Sequence, residues 1–392
     1  MAQQDLSPTN TRHRQPRLET AADPWPGWDA LRLAGPSAEV DGCPAFAQHD
    51  VVQQVLRDPA TFSSSGPKEL GAARPVIPLE IDPPEHRRYR KLLDPIFTLR
   101  RVREWEPRVR ELAVNLIEAV VDAGACEFVS AVGELPSMFF LELLGLPAER
   151  LDELLAIKDG IVHPVGDTPQ DRRVTQAAAG AKAYAVFTEA VEQARLTPGD
   201  DLVSRLLTTE TDGEQLTFEE VLDICFVFLM AGLDTVAGAL SCIFYFLAEH
   251  PELQRRLATE PSVTARAVEE FLRHSTVVDT VTRVATTDTV VAGRSIRAGT
   301  PCVVALGSTN IDPDLFQSPL EVDFDRNARA HLAFGGGIHR CLGSHLARAE
   351  IRIVVEEWHA RISSYRRSDT EPAEWVGGAV RGLHRLPLKW QS

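Results

Sequence analysis

A single cysteine lies in a glycine-rich loop at residues 334–343, which reads Phe-Gly-Gly-Gly-Ile-His-Arg-Cys-Leu-Gly. The glycines at 335–337 allow backbone angles that other residues avoid, so the loop can pass close to a large planar ligand. The sequence from Ser344 onward is typical of a helix, and the start of a helix favours a cysteine thiolate through its N–H groups and dipole. A thiolate behind such a loop suits an axial ligand of haem iron, and Cys341 is the predicted ligand.

An acid and an alcohol lie side by side in a long apolar segment. The sequence Ala-Gly-Leu-Asp-Thr at 231–235 interrupts the apolar run, and buried polar side chains are costly unless they have partners or a function. Gly232 weakens the helix and leaves room for a ligand beside it. Asp234 and Thr235 are therefore candidate functional residues. The alternative is a helix kink in which Asp234 pairs with a distant arginine.

A third motif is Glu-Phe-Leu-Arg at 270–273. Its charged ends lie on one face of a helix and can form an ion pair, which is common on helices and weak evidence by itself. Arg326 follows in the segment Asp-Phe-Asp-Arg. The order along the chain is informative, because this motif follows the acid–alcohol pair and precedes the cysteine loop.

In this order, the motifs resemble those of the cytochrome P-450 family. The cysteine loop is similar to the haem-ligand loop of that family, with His339 where many members carry arginine. Gly-Leu-Asp-Thr and the closing Gly-Leu-His-Arg-Leu-Pro-Leu at 382–388 resemble the soluble bacterial type that includes the camphor hydroxylase. The resemblance runs from about Trp25 to the end of the chain. It implies a mainly α fold with a small β-rich portion (α+β) and a long central helix over the haem.

The resemblance also implies roles for single residues. Cys341 would be the axial ligand of the haem iron, and Asp234 with Thr235 would supply protons for oxygen activation. A structural triad behind the haem loop is matched by Glu270, Arg273 and Arg326. Further haem-binding positions, the last four of them facing the propionates, are matched by Phe334, Gly335, His86, Arg90, Arg283 and His339. Arginine suits this task because its planar fork binds carboxylates in a bidentate way, although a lone basic residue is usually a solvated surface charge.

The expected substrate pocket is read by position within the family's fold. Its nine residues are Ile77, Leu79, Val227, Met230, Ala231, Val278, Val281, Ala379 and Val380. Most of them are apolar, which favours a hydrophobic substrate of small to medium size, such as a terpenoid or an aromatic compound. Candidates to hold one polar group of the substrate are Asp279, Thr280 and Thr282.

Composition and charge bound the class of protein. The chain has 392 residues, 44% of them hydrophobic, and a net charge of −15. This charge argues against binding to nucleic acid or to an anionic membrane surface. The six cysteines have no paired spacing, as is usual in a reducing cytoplasm. We predict a cytoplasmic monomer with a mobile tail at 1–24, which lacks an apolar leader, and a single domain at 25–392.

Periodicity and turn signals predict mainly helices. They are expected at 100–123, 147–161, 172–194, 219–249, 252–259 and 264–274. Strands are expected at 38–46, with a turn at Asp41-Gly42, and at 289–291, 302–306 and 383–390, where Pro387 predicts an edge strand. The apolar run at 224–247 is long enough to span a bilayer, but its central acid and the lack of a basic flank favour a buried core helix.

These predictions describe a haem-thiolate monooxygenase that hydroxylates or epoxidises its substrate with O2. The cofactor would be haem b, and electrons would come from NAD(P)H through a reductase and a ferredoxin of the 2Fe-2S type. A basic face is expected to dock the ferredoxin; its residues are Arg87, Arg88, Lys91, Arg100, Arg101, Arg103, Arg340, Arg348 and Arg352. One alternative is a peroxide-using haem-thiolate catalyst, against which the intact acid–alcohol pair argues. Another is a haem sensor or carrier without turnover.

Overall fold

The computed structural model describes residues 21–66, 72, 74–211 and 213–391. The α-helices in this part of the chain are α1 (Trp25–Ala34), α2 (His49–Arg57), α3 (Glu85–Leu93), α4 (Leu99–Glu118), α5 (Leu135–Leu144), α6 (Leu151–Val162), α7 (Pro169–Leu196), α8 (Leu202–Thr208), α9 (Phe218–Leu247), α10 (Pro251–Thr259), α11 (Thr264–His274), α12 (Leu306–Thr309) and α13 (Ser344–Arg361). The strands are much shorter than the helices. The prediction of a mainly α fold with a small β-rich portion is confirmed.

The strands are β1 (Glu39–Val40), β2 (Cys43–Phe46), β3 (Phe62–Ser63), β4 (Ala125–Glu127), β5 (Glu210–Thr211), β6 (Glu214–Gln215), β7 (Thr280–Ala285), β8 (Thr289–Val291), β9 (Arg294–Ile296), β10 (Pro301–Ala305), β11 (Tyr365–Arg367), β12 (Glu374–Val376), β13 (Gly382–Arg385) and β14 (Pro387–Trp390). The largest sheet has the order β1-β2-β10-β7-β3. Strand β10 runs parallel to β2 and antiparallel to β7, with Cys302 opposite Arg283. The predicted hairpin at 38–46 is confirmed, with Asp41 and Gly42 at positive φ in its turn.

Helix α9 is the central element of the fold. It opens with the expected capping box, in which Thr217 and Glu220 exchange side-chain and backbone hydrogen bonds. It packs against α5, α6, α7 and β13. Among the described residues it is the one helix long and apolar enough to cross a membrane, and 72% of its apolar window is buried inside the protein, as in a core helix.

The limits of several predicted helices shift in the structure, and one strand prediction is wrong. Helix α4 ends at Glu118 rather than at 123, where a 3-10 turn follows. Helix α7 begins earlier than predicted, because Thr168 and Asp171 form a second capping box. Strand β14 is not an edge strand, since the order of its sheet is β11-β14-β4. Pro387 is tolerated there because it is the first residue of the strand.

The predicted mobile tail is only partly within the described residues. Residues 1–20 lie outside them, whereas Ala21 accepts a hydrogen bond from Arg381 Nε at 2.6 Å. The largest hydrophobic cluster holds buried side chains from Ala72 to Leu388. Helix α9 passes through this cluster and sets the positions of the acid–alcohol pair.

Candidate active site

The cysteine loop lies between α2 and the start of α13. The Cys341 N–H donates to the Phe334 carbonyl at 2.9 Å, which closes the loop on itself. A short 3-10 turn, Gly337–His339, precedes the cysteine, and α13 begins three residues after it. The sequence therefore folds into a tight loop that places Cys341 just before the first turn of α13.

The loop glycines differ in their surroundings. Gly335 has a φ of +64° and open space where a side chain would point. Gly337 has a φ of +62°, and a Cβ there would lie 1.8 Å from the Leu56 carbonyl oxygen of α2. Gly336 also faces Leu56, whose Cδ1 would lie 3.3 Å from an added Cβ. Gly336 and Gly337 therefore allow the loop to pack closely on α2, and the passage of the loop beside a planar ligand stays a prediction.

The pKa of Cys341 does not follow the expectation from its place before a helix. The residue retains accessible surface, but the protein crowded around its sulfur raises the pKa of the thiol by desolvation. The Gly343 N–H and the charges of Arg340, Arg90 and Arg348 offset only part of this effect. The thiolate is therefore not favoured in the protein alone, and a bound cation would deprotonate it.

Four basic side chains converge beside this loop. The rings of His86 and His339 lie 4.4 Å apart and edge to face. Arg90 donates from Nη1 to the Arg340 carbonyl at 3.0 Å, next to Cys341 in the chain, and its Nε pairs with an aspartate of the following turn. Burial, followed by the charges of Arg283, His86 and Arg90, lowers the pKa of His339 to about 3. Three of the residues predicted to bind the propionates thus lie close enough to lower the pKa of the fourth, His339.

In the part of the chain that the structure describes, three of these basic residues, His86, Arg283 and His339, have no anionic partner, whereas Arg90 pairs with Asp94. The Nε2 atoms of His86 and His339 are buried and have no hydrogen-bond partner. Burial lowers the pKa of Arg283 to about 10. Within the described part of the chain, the one hydrogen bond of its guanidinium goes from Nη1 to the Thr282 carbonyl at 2.7 Å. Buried donors and charges normally find partners, so this cluster fits a ligand that brings carboxylates of its own.

The acid–alcohol pair lies in an uninterrupted part of α9. Thr235 donates from Oγ1 to the Ala231 carbonyl at 2.8 Å. Asp234 is partly buried and pairs with Lys158 of α6, whose Nζ lies 3.1 Å from Oδ1. Lys158 is itself buried and also contacts Asp159 at 2.7 Å. The described partner of Asp234 is thus a lysine rather than the arginine of the alternative.

Gly232 has a packing role that differs from the expected one. A Cβ at this position would lie 2.8 Å from the ring of Phe140 in α5. The missing side chain leaves room for this ring and lets the two helices approach closely. Nearby, Ala231 is exposed and Thr235 is partly exposed, so α9 has an open stretch beside the acid–alcohol pair.

The predicted structural triad is brought together in one buried cluster. Glu270 and Arg273 have fully buried side chains and pair at 2.7 Å, and Arg326 Nε reaches the same carboxylate at 2.9 Å. Arg273 also donates to the carbonyls of Asn310, at 2.8 Å, and Pro319, at 2.7 Å. The cluster therefore fastens α11 to the segment that leads to the cysteine loop.

A second cluster, which the sequence analysis did not identify, holds the loop itself. Arg348 pairs with Glu269 at 2.5 Å and lies over the ring of Phe334, 4.3 Å from its centre. His331 accepts a hydrogen bond from the Ala333 N–H at Nδ1, so its proton is on Nε2, which donates to Glu269 at 3.2 Å. No local sequence pattern predicts this cluster, because Glu269 and Arg348 are far apart in the chain and each belongs to a common helical pattern.

The predicted pocket residues divide by burial. Those buried are Ile77, Val227, Met230 and Val380, those partly exposed are Val278, Val281 and Ala379, and those exposed are Ala231 and Leu79. None of them lines the described cavity of about 610 Å³ that lies between α1 and the end of α9. Of the candidates for a polar substrate contact, Asp279 accepts a hydrogen bond from Trp28 Nε1 at 3.2 Å.

Ion pairs neutralise part of the positive charge on the predicted docking face. Arg88, Arg101, Arg348 and Arg352 form ion pairs with glutamates. Those that are exposed are Arg87, Lys91, Arg100, Arg103 and Arg340. The exposed arginines, Arg87, Arg100, Arg103 and Arg340, therefore contribute most of the accessible positive charge.

Comparison with known proteins agrees with this arrangement. The sequence model of the cytochrome P-450 family matches residues 161–358. Probable cytochrome P-450 127A1 of Sinorhizobium fredii is 37% identical over 86% of this chain and 81% of its own length. Nocardicin C N-oxygenase of Nocardia uniformis is 32% identical over 98% of this chain and 100% of its own.

The solved structure of CYP109E1 from Bacillus megaterium in complex with corticosterone superimposes with a TM-score of 0.84 at 28% identity, and covers 95% of this chain and 99% of that one. Members of this family bind haem and use O2 with electrons from redox partners. The chain belongs to the cytochrome P-450 family and is a monooxygenase of the bacterial type.

Proposed function

We propose that this monooxygenase inserts one oxygen atom from O2 into a hydrophobic substrate of small to medium size, by hydroxylation or epoxidation. The cofactor is haem b, held by Cys341, with Phe334 and Gly335 against it. The observation that carries this proposal is a group of three basic residues, His86, Arg283 and His339, that have no carboxylate partner among the described residues. His339 lies two residues before the predicted ligand, Cys341. A dianionic ring system that carries a metal would satisfy these bases and the cysteine at once.

The chain's own residues would prepare the reaction. His86, Arg90, Arg283 and His339 would bind the two propionates, and these contacts would lower the cost of burying the bases that lack a partner. The bound haem supplies the iron centre that activates O2. Asp234, whose carboxylate is held by Lys158 at 3.1 Å, would relay protons from solvent. Thr235, whose Oγ1 donates to the Ala231 carbonyl, would orient the group that accepts them. The apolar pocket residues exclude water and position the substrate.

The substrate class is supported by two observations. The predicted pocket positions are nearly all apolar, and a structure of similar fold was solved with corticosterone. A terpenoid, steroid-like or aromatic compound fits both. A polar group on the substrate would meet Thr280 or Thr282, because Asp279 is already held by Trp28.

The electrons come from NAD(P)H through a reductase and a 2Fe-2S ferredoxin in this proposal. Exposed Arg100, Arg103 and Arg340 form the docking charge, whereas Arg101 is paired with Glu104 at 2.7 Å. Charge reversal at Arg103 is expected to slow reduction more than reversal at Arg101, with substrate binding unchanged. Equal reduction rates for both variants and the parent would exclude this docking surface. A cytoplasmic monomer with one domain at 25–392 stays a prediction.

The decisive experiment is the carbon monoxide difference spectrum of the dithionite-reduced protein. We expect the long-wavelength Soret band of thiolate ligation in the parent and its loss in Cys341→Ser. The matched control, Cys43→Ser, changes a cysteine of β2 and should keep the band. A parent protein that binds no haem after reconstitution would refute the proposal. Turnover with NADH, ferredoxin and reductase then separates a monooxygenase from a peroxide-using catalyst and from a haem carrier.

A further inference from the structure

A cavity is lined by residues other than those of the candidate active site. It has a volume of about 610 Å³ and is bounded by α1, the ends of α9 and α11, and the C-terminal strands. This volume is within the usual range for a small-molecule pocket. None of the residues assigned to the haem, the acid–alcohol pair or the substrate lines it. The residues that line this cavity therefore have no role in the proposed monooxygenase site.

The wall of the cavity is largely aromatic. The Trp25 ring lies 4.8 Å from the ring of His274, and the Phe246 ring lies 5.1 Å from it. The rings of Tyr245 and Trp375 meet edge to face at 4.9 Å. Burial lowers the pKa of His274 to about 3, so this ring is neutral near pH 7. Such a wall suits a flat apolar ligand.

Two arginines at this wall have guanidinium N–H groups that lack a hydrogen-bond acceptor. Arg381 is 5% exposed, and its Cζ lies 5.8 Å from the Trp25 ring centre and 5.2 Å from that of Trp375. Its Nε is used by the Ala21 carbonyl, but its Nη1 is buried and has no partner. Arg32 also lines the cavity, and its Nε is buried without a partner.

Two acids of the cavity wall, Asp29 and Glu249, do not accept from these two donor atoms. Asp29 pairs with Nη2 of Arg32 at 2.6 Å, and Glu249 pairs with Arg367. In the described ranges, no carboxylate forms an ion pair with Arg381. A buried cation between two indole rings, with an N–H that lacks an acceptor, is costly unless a ligand supplies the acceptor. A carboxylate is the group that the planar guanidinium fork binds best.

We propose that this cavity is a second binding site, for a small carboxylate with a flat aromatic body. The carboxylate accepts from Arg381 Nη1 and Arg32 Nε, and the ring system packs on Tyr245, Phe246 and Trp375. The site adjoins the active site through the backbone. Arg381 follows Val380 of the predicted substrate pocket, and a Cβ on Gly238 of α9 would lie 2.8 Å from the Arg381 carbonyl oxygen.

The test uses the haem-loaded enzyme with 4-phenylimidazole bound at the iron, so that the substrate pocket is filled. Binding of 2-naphthoate is measured by calorimetry and by quenching of tryptophan fluorescence. We expect one site, and we expect 2-naphthylmethanol, which lacks the charge, to bind about 10- to 100-fold more weakly. Arg381→Gln should weaken naphthoate binding by about the same factor.

A second variant keeps the proposal testable if Arg381→Gln disturbs the fold. Leu320 lines the cavity and is 57% exposed, so Leu320→Glu places a like charge at its mouth without touching the core. It should weaken naphthoate binding several-fold and leave naphthylmethanol unchanged. The matched control is Leu315→Glu, at an exposed leucine of the same segment that does not line the cavity. No naphthoate binding, or binding unaffected by both Arg381→Gln and Leu320→Glu, would overturn the proposal.

Discussion

Glu269 is predicted to stabilise the cysteine loop by its negative charge, and the variant Glu269→Gln tests this. Burial opposes the charge, but the hydrogen bonds from His331 and Arg348 outweigh burial and lower the pKa of Glu269 from 4.5 to about 2. The side chain is 22% exposed, so solvent screening is limited. Because each tenfold change in the acid constant is worth about 1.4 kcal/mol, this lowering of the pKa corresponds to about 3 kcal/mol of stability.

The sign of the pH dependence follows from the direction of this shift. A carboxyl group with a lowered pKa contributes stability above its unfolded pKa, and this contribution is lost as the pH falls through the folded pKa. The parent should therefore exceed Glu269→Gln by about 3 kcal/mol at pH 7, and the difference should fall to about half near pH 3. Urea unfolding, followed by tryptophan fluorescence and circular dichroism between pH 7 and pH 3, measures it.

The control is Glu104→Gln. Glu104 also pairs with an arginine, Arg101, at 2.7 Å, but on the surface of α4. Its removal should have little effect, and added salt should screen that effect. A difference between parent and Glu269→Gln that does not change with pH, or that is no larger than the control's, would refute the reasoning. In the loaded enzyme, Glu269→Gln should also speed the loss of the thiolate-type band, because Arg348 then holds Phe334 less firmly.

Three further predictions concern buried charge, backbone packing and proton delivery. Glu270→Gln strands the charge of a fully buried arginine and should cost about 3–5 kcal/mol in urea unfolding, whereas Glu260→Gln, which breaks an exposed pair, should cost less than about 1 kcal/mol. Gly337→Ala should reduce haem content, measured as the pyridine haemochrome, because its Cβ would overlap a carbonyl of α2; Gly42→Ala has a similar positive φ without a clash and should not. Asp234→Asn should slow O2-dependent turnover about 100-fold or more and leave the haem spectrum unchanged; unaltered turnover would remove this residue from the proton path.

Features set by local sequence were predictable. The capping box before α9 and the bounds of α11 follow from neighbouring residues, and both are confirmed. Features that depend on distant parts of the chain were not. The pairing of Asp234 with Lys158 and the ring of Phe140 beside Gly232 join helices that are separated in sequence. No pattern within one helix indicates which face meets which neighbour, so a glycine that allows packing and one that borders a ligand look alike.

Strand order was unpredictable for the same reason. Pro387 has the chemistry of an edge residue, yet its strand lies between two others, because a proline at the first position of a strand removes no ladder hydrogen bond from the middle. The motif residues around Cys341 could be identified by type and spacing. Their lack of partners could not, since it depends on which carboxylates the fold brings near them.

The unpartnered bases are informative because this protein has no shortage of acids. It contains 56 aspartates and glutamates against 41 lysines and arginines, yet none of its described carboxylates pairs with Arg283 or Arg381. Buried cations in an acidic chain are most simply explained by anions that arrive with a ligand. Arg283 lies near His339, two residues before Cys341, so the ligand there would carry both a metal and carboxylates. Arg381 lies beside the indoles of Trp25 and Trp375, which suit a flat organic ligand. The two sites should therefore bind different ligands, and naphthoate should bind to enzyme that is already loaded with haem.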